Sequence, residues 1–216
     1  NNAVLILFAE RFLDGGTFGQ DIFDTNPPLS ILIYAPVVWM KQVFGMTYPM
    51  GNFLYPLFLL TLSLLFSAKA LSSFTADRIS ASAKTLVLSL FVLGVTLGSP
   101  QSWGERGMLV FFGLFPFALT VLARTYEPEK LGKIFTLLAS VMGGLLVLLK
   151  PHFGLFIAIL FLHRAFTQKQ IRSSLLSIEF LTPLILTLLY GLLLITLLSG
   201  YSREILPDVL ALYSNA

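Results

Sequence analysis

Seven apolar runs with few charged residues constrain the fold of this chain more than any other feature of its sequence. The runs lie near residues 28–44, 51–71, 85–98, 108–123, 134–149, 153–163 and 174–199. Only 12% of the 216 residues are charged, whereas soluble domains carry about 25%. Such runs are typical of helices that cross a lipid bilayer. The sequence therefore predicts an all-α polytopic bundle of transmembrane helices with about six or seven spans.

The runs also suggest how the chain is organised. We expect one transmembrane domain over 1–216, with an interfacial helix and loop at 1–27, membrane helices at 28–199 and an interfacial tail at 200–216. The segment AVLILFAERFL at 3–13 is too short to span a bilayer, which predicts a helix lying in the interface. Because the sequence starts Asn-Asn and ends without a capping pattern, we interpret it as a segment of a longer membrane protein.

Charge and cysteine content exclude several classes of function. The net charge of +3 comes from scattered residues, and no basic block of the kind that binds nucleic acid is present in the sequence. The chain has no cysteine, which excludes disulfides and thiolate metal sites. Its two histidines are far apart in sequence and predict no metal cluster.

The basic residues predict an orientation in the membrane. Nine of the fourteen Lys and Arg residues lie in or beside the gaps 67–84, 124–133 and 164–173. The positive-inside bias places these three gaps in the cytoplasm. The remaining gaps and the tail then face outward, near 45–50, 99–107, 150–153 and 200–216.

The side of the membrane faced by the loop at 17–27 stays open at this point. If 28–44 crosses the bilayer, the loop is cytoplasmic. If 28–44 is a re-entrant or interfacial hairpin, the loop faces outward with the other weakly basic gaps. Pro36 and Lys41 inside the run are compatible with the hairpin.

Two carboxylates stand at the entrance to the first long run, in the stretch DIFDTNPPL. Asp21 and Asp24 are three residues apart, and paired carboxylates can bind a divalent cation or act as a general base. The alternative, which spacing alone favours, is a solvated loop in which Asn26 caps a helix that has prolines at its first positions.

Basic residues occupy two of the outward gaps. Arg106 could hold a phosphate through paired N–H donors, or it could form a local surface pair with Glu105. Lys150 and His152 flank Pro151, which breaks a helix. They predict either an anion site or a short turn from which Lys150 reaches the interface.

Three further polar features have less specific interpretations. Tyr201, Arg203, Glu204 and Asp208 follow the last run and suggest an amphipathic interfacial helix, for which we favour a role without chemistry. Glu179 either pairs with a neighbouring basic side chain or lies at the cytoplasmic interface, and the second interpretation is favoured. His163 is expected to be interfacial.

Four short segments resemble a known superfamily when they are taken in order. AERFLDGG, D..D.NPPL, WGERGML and LKPHF resemble parts of the GT-C superfamily of polytopic glycosyltransferases, the relatives of protein O-mannosyltransferases and aminoarabinose transferases. The resemblance implies transfer of a sugar from a polyprenyl-phosphate carrier at the outer membrane face. In such enzymes an aspartate of the first outer loop acts as base, and basic residues hold the leaving lipid phosphate.

The resemblance assigns roles to individual residues. Asp21 and Asp24 match the acidic positions before NPPL, Arg106 matches the motif arginine, and Lys150 and His152 match the KPHF pair. Supporting roles are expected for Asn26, Glu105 and Tyr201. No cofactor is firmly implied, and a divalent cation at Asp21 and Asp24 stays an open alternative. The implied partners are membrane lipid, a polyprenyl-phosphate sugar and further protein subunits, and the implied location is a bacterial inner membrane.

Two positions depart from the superfamily pattern and define the alternative function. Asn1 stands close to where an acid is expected, so that acid lies upstream or is missing. Gly107 and Met108 replace a Glu-His pair after the motif arginine. A non-catalytic integral-membrane subunit that binds lipid or a partner complex is therefore the main alternative. A transporter is a third, and it is disfavoured because charged residues inside the runs are scarce.

Overall fold

The computed structural model describes residues 2–97 and 104–214, and the regular structure of these residues is helical. The helices are α1 (Asn2–Leu13), α2 (Leu29–Leu32), α3 (Ala35–Phe44), α4 (Tyr48–Ser72), α5 (Ala81–Thr96), α6 (Arg106–Tyr126), α7 (Lys133–Val147), a 3-10 turn (Pro151–Phe153), α8 (Gly154–Gln168), α9 (Ile171–Leu175), α10 (Ile178–Thr196), a π turn (Tyr201–Ile205) and α11 (Leu206–Ser214). The all-α prediction is confirmed. Asn1 and the first residue of the WGERGML segment, Trp103, lie outside the described residues.

Three of the described helices are long and apolar enough to cross a membrane. They are α4 with 25 residues, α6 with 21 and α10 with 19. Four shorter apolar stretches have 10–17 residues. The length of those stretches does not establish a crossing by itself, so the expected six or seven spans stay a prediction beyond the first three.

The chain divides into two compact units. Unit 1 combines Asn1–Tyr55 with Thr187–Ala216, and unit 2 is Pro56–Leu186. The predicted acidic loop lies in unit 1, whereas Arg106, Lys150 and His152 lie in unit 2.

Small residues allow α6 and α7 of unit 2 to pack closely as an antiparallel pair. A Cβ added at Gly113 would lie 2.7 Å from the Met142 carbonyl oxygen, and one at Gly143 would lie 2.6 Å from the Phe117 Cβ. Lipid gives helices little hydrophobic reason to associate, so close backbone approach at small residues supplies the packing.

The three basic gaps of the sequence meet at one end of unit 2. The Thr75 hydroxyl donates to Glu127 Oε1 at 3.4 Å, and the Gln168 amide donates to the Thr125 carbonyl at 3.2 Å. The Arg78 guanidinium lies 5.4 Å from the centre of the Tyr126 ring. Side chains from all three gaps are thus in contact, and the start of α6 and the end of α7 lie at the opposite end of the helix pair.

The run at 28–44 in unit 1 does not form one regular helix. α2 ends at Leu32 and α3 begins at Ala35. Pro36 has no N–H to donate to the preceding turn, which accounts for the interruption. The whole stretch Leu29–Phe44 has 16 residues, or about 24 Å at about 1.5 Å per residue, which is less than the roughly 30 Å of a hydrocarbon core.

Candidate functional site

The Asp21 carboxylate closes a turn in the loop after α1. Its Oδ2 accepts hydrogen bonds from the Thr17 backbone N–H at 2.9 Å and from the Thr17 hydroxyl at 3.3 Å. The Arg11 guanidinium donates to the Asp21 carbonyl at 2.7 Å. Asp21 is exposed, so its carboxylate is available to solvent while it stabilises the turn.

The Asp24 carboxylate accepts two hydrogen bonds from Asn26. Its Oδ1 accepts from the Asn26 backbone N–H at 2.8 Å and from the Asn26 side-chain amide at 2.5 Å, an Asx-type turn. The prediction that Asn26 caps the next helix is wrong: Pro28 occupies the N-cap of α2, without a side-chain cap hydrogen bond. Asn26 instead orients the Asp24 carboxylate, because its backbone N–H and its side-chain amide both donate to the same oxygen.

Tyr201 packs beside this loop from the other sequence segment of unit 1. It is 3% exposed, and its ring lies edge-on to Phe18 with centroids 6.2 Å apart. Its hydroxyl donates to the Thr25 carbonyl at 3.4 Å. Burial raises the pKa of Tyr201, and the negative charge of Asp24 raises it further, because both disfavour the phenolate. Tyr201 is therefore a neutral hydroxyl at neutral pH.

Two glycines let the loop and the segment after α10 touch. A Cβ at Gly200 would overlap the Phe18 carbonyl oxygen, and a Cβ at Gly19 would overlap the Glu204 carboxylate. Gly19 also has a φ of +89°, which side chains disfavour. The loop bearing the two aspartates is thus held against the π turn that carries Tyr201, Arg203 and Glu204.

An ion pair joins α1 to α3 in the same unit. Lys41 Nζ lies 2.8 Å from Glu10 Oε1 and donates to the Tyr48 hydroxyl at 3.1 Å. The hydrogen bond from Lys41 lowers the pKa of Glu10. Lys41, an unusual residue inside an apolar run, therefore has an acidic partner.

The predicted phosphate-binding residues of unit 2 lie at the same end of the α6–α7 pair. Arg106 is the first residue of α6, and a Cβ at the next residue, Gly107, would lie 3.2 Å from Lys150 Nζ. His152 lies in the 3-10 turn, which is packed on α6 by an edge-on contact between Phe153 and Phe111, with centroids 5.6 Å apart. The antiparallel packing places the three residues at one end of the helix pair, although 44 positions separate Arg106 from Lys150.

These basic residues have no acidic ion-pair partner within residues 2–97 and 104–214. Glu105 occupies the N-cap of α6 and is exposed, and it forms no ion pair with Arg106 in that part of the chain. The local Glu105–Arg106 pair considered from the sequence is therefore not observed. Unpaired cations at one end of a helix pair are suited to an anionic group.

The opposite end of unit 2 contains a buried charge cluster. Glu179 Oε1 is 3.1 Å from Arg124 Nε and 2.8 Å from Arg164 Nη1. Glu179 is 3% exposed and Arg164 is 7% exposed. Glu179 therefore pairs with basic side chains. The interpretation that the sequence favoured, in which Glu179 simply lies at the cytoplasmic interface, does not account for these contacts. The partners come from α6 and α8, so sequence spacing could not identify them.

His163 also has a specific partner. Its Nε2 lies 3.0 Å from the Tyr126 hydroxyl, which joins α8 to the end of α6. Within the described part of the chain, no three His, Asp or Glu side chains gather into a group that could hold a metal ion. The Asp21 and Asp24 carboxylates bond to different loop partners.

Comparison with known proteins gives this chain no relative. No family model, curated protein or solved structure matches it. The chemistry of the site is therefore argued from its own residues. Unit 1 has a loop with two carboxylates and a buried tyrosine, and unit 2 has three cationic or donor groups that have no acidic partner in the described part of the chain.

Proposed function

We propose that this chain is the membrane part of a glycosyltransferase of the GT-C type, in which a polyprenyl-phosphate sugar is the donor. The reaction would take place at the outer face of a bacterial inner membrane. The observation that carries the proposal is the gathering of Arg106, Lys150 and His152 at the end of unit 2 opposite to the basic gaps, without an acidic partner among the described residues. A lipid phosphate supplies the negative charge that Arg106 and Lys150 lack nearby, and it also accepts hydrogen bonds from donor groups.

The proposed reaction assigns one task to each kind of group. The acceptor hydroxyl oxygen forms a bond to the anomeric carbon of the sugar, and the bond from that carbon to the phosphate oxygen breaks. The acceptor proton passes to the Asp24 carboxylate as general base. The departing polyprenyl phosphate takes the electron pair, and Arg106, Lys150 and His152 stabilise its charge. Asp21 shapes the loop that holds the base.

The path of α7 and α8 supports a polytopic bundle. α7 contacts α6 where Gly143 meets Phe117 and where Leu146 meets Gly113, and Lys150, just after α7, lies beside Gly107 at the start of α6. α8 follows the turn packed on Phe111 and returns to Arg124 through Arg164 and Glu179. Helices that accompany α6 over its length lie at the same depth, so we propose that α7 and α8 cross the membrane where α6 does.

The interrupted run in unit 1 supports an outward position for the acidic loop. Leu29–Phe44 is shorter than a regular span, and α1 packs along both of its helices. We propose that this stretch lies in the interface and does not cross the bilayer, so that its two ends stay on one side of the membrane, which is the topology that the catalytic proposal requires.

A non-catalytic subunit that binds lipid is the second candidate. It is favoured by the way in which the two carboxylates are used, since Asp21 closes the turn at Thr17 and Asp24 accepts both donors of Asn26. In that case the cationic group binds the phosphate of a lipid without any transfer.

Transfer by the intact protein separates the two candidates. Purified protein is incubated with a panel of polyprenyl-phosphate sugars, and released polyprenyl phosphate is measured. We expect Asp24→Asn to reduce the rate by about 10² to 10⁴, and Lys150→Ala to raise the donor KM. Asp77→Asn and Lys130→Ala are matched controls, because both residues are exposed and lie in the basic gaps. If Asp24→Asn and Asp21→Asn both keep full activity, neither aspartate is the general base.

Cysteine labelling tests the sidedness directly, because the chain has no native cysteine. Single cysteines at the exposed positions Thr17, Glu105 and Glu129 are treated with a membrane-impermeant maleimide on intact cells. We expect labelling at positions 17 and 105 and protection at 129. Labelling at 105 without labelling at 17 would place the acidic loop on the wrong side for catalysis.

A further inference from the structure

A polar cavity of about 290 Å³ lies within unit 1, between the acidic loop and the segment after α10. Thr17 and Gln20 line one wall, and Ser199, Arg203 and Glu204 line the other. The sequence analysis assigned no chemistry to the second wall. The close backbone contact between Gly200 and the Phe18 carbonyl holds the two walls against each other, so the cavity is a defined part of the fold.

A π turn presents the charged residues of the second wall. Tyr201–Ile205 forms this turn, with Tyr201 and Ile205 buried and Arg203 and Glu204 exposed. A π turn is less stable than a regular helical turn, and single π turns are frequent at functional sites. Here it directs two buried side chains inward and leaves two charged ones at the cavity.

The lining of the cavity indicates the chemistry of its ligand. Arg203 and Glu204 contribute one positive and one negative charge, so the cavity does not favour an anion such as phosphate. Thr17 and Ser199 add hydroxyl groups that both donate and accept. Phe18, which is buried, adds an apolar surface. A neutral ring with many hydroxyls and an apolar C–H face satisfies all of these groups.

The volume of the cavity limits the size of the ligand. Small-molecule pockets usually measure about 300 to 1,000 Å³, and this cavity is at the lower end of that range. One sugar ring fits such a space better than a disaccharide does. The Asp24 loop is adjacent through Thr25 and Tyr201.

We propose that this cavity binds a single neutral sugar ring, with Arg203 and Glu204 as the residues that orient its hydroxyls. This inference rests on the proposed glycosyl transfer, in which the ring belongs either to the donor or to the acceptor. Arg203 donates paired N–H groups to ring hydroxyls, and the Glu204 carboxylate accepts from them. Neither residue takes part in bond making or breaking.

Protection of an introduced cysteine tests the proposal. Gln20→Cys places the only thiol of the chain at the cavity wall, and Thr47→Cys, exposed and outside the cavity, is the control. The rate of maleimide alkylation is measured with increasing methyl glycosides of neutral hexoses and pentoses, against equimolar glycerol. At about twice Kd, a bound glycoside slows alkylation at position 20 about threefold. Alkylation at position 47 is unchanged.

Second variants make the result specific to the two charged residues. Arg203→Gln and Glu204→Gln, each added to Gln20→Cys, are expected to abolish the protection while the protein keeps its elution volume on size exclusion. Because both side chains are exposed, neither substitution is expected to disturb folding, so a loss of protection would report on ligand binding. The proposal is overturned if no glycoside protects more than glycerol, if the protection survives both variants, or if dodecyl phosphate alone protects equally well.

A further arm identifies the source of the ring. A dodecyl-phosphate-linked sugar that protects at lower concentration than the methyl glycoside assigns the ring to the donor, and equal protection assigns it to the acceptor. Failure of the two proposals is distinguishable. Glycoside protection without release of polyprenyl phosphate contradicts the transfer reaction alone, whereas release of polyprenyl phosphate without glycoside protection contradicts the assignment of the cavity alone.

Discussion

Arg164 Nη1 lies 2.8 Å from Glu179 Oε1, and both side chains are buried in a chain rich in apolar residues. Arg124 reaches the same carboxylate oxygen. Charges buried in this way are stable only as a paired group, since each unpaired ion carries a large desolvation cost. The cluster of Arg124, Arg164 and Glu179 therefore joins α6, α8 and α10 at fixed positions, whereas contacts between apolar surfaces alone would let these helices slide along one another.

Loss of the shared carboxylate should destabilise unit 2 strongly. Glu179→Gln leaves two arginines without their counter-charge, and we expect the free energy of unfolding to fall by about 3 to 5 kcal/mol. The measurement is a denaturant titration in detergent micelles. Glu129→Gln is the control, because Glu129 is exposed and lies in the nearby gap. Equal stability of the two variants would contradict the role of the cluster.

Close packing of α6 on α7 should make Gly113 intolerant of any side chain. A Cβ at this position would overlap Leu146 and approach the Met142 carbonyl. We expect Gly113→Ala to cost about 1 to 3 kcal/mol in the free energy of unfolding. Gly94→Ala in α5 is the matched control, since nothing lies within 4 Å of its Cβ. It should stabilise the helix by up to about 1 kcal/mol. If Gly94→Ala lowered the free energy of unfolding more than Gly113→Ala did, this packing would be refuted.

The pair of Glu10 and Lys41 should make stability depend on pH at the acid end. The pKa of Glu10 is lowered from its ordinary value of 4.5 by the hydrogen bond from Lys41. The stabilisation is therefore complete above that value and is lost as the pH falls through the lowered pKa. The difference in Tm between wild type and Lys41→Gln should be constant at neutral pH and should vanish in strong acid. Lys69→Gln, at an exposed lysine, should show no such trend.

Removal of the Asp24 charge should lower the pKa of Tyr201. Burial raises this pKa first and Asp24 raises it second, so Asp24→Asn leaves only the effect of burial. A spectrophotometric titration, with Tyr201→Phe as reference, isolates the single phenol. Asp24→Asn should move the Tyr201 transition to lower pH, and Asp21→Asn should not. An unchanged Tyr201 pKa in Asp24→Asn would mean that the two groups do not interact.

The fold was predictable where one physical rule dominated. The runs at 51–71 and 108–123 correspond to α4 and α6, because long apolar stretches have few alternatives to a helix. The run at 28–44 was harder to interpret. Pro36 interrupts the backbone hydrogen bonds of the helix, and the hydropathy of the run does not reveal this interruption. In the same way, the run at 174–199 contains the end of α9 and all of α10 rather than one helix.

The candidate site was predictable only in part. Spacing drew attention to Asp24, Lys150 and Arg106, but it could not show that Asn26 bonds the carboxylate instead of capping a helix. The partners of Glu179 and the cavity beside Glu204 depend on contacts between residues distant in sequence. The one signal available in the sequence was Glu179, a single acid in an apolar run. An acid in that position is costly unless it is paired.

The contact between Gly200 and the Phe18 carbonyl has a consequence for the search for relatives. A chain that keeps this loop against this turn needs glycine at the position equivalent to 200, and its backbone at the position equivalent to 19 favours glycine as well. Two glycines about 180 positions apart, each beside a polar segment, form a fingerprint that overall similarity would miss. Distant homologues could be recognised by that spacing before any catalytic residue is compared.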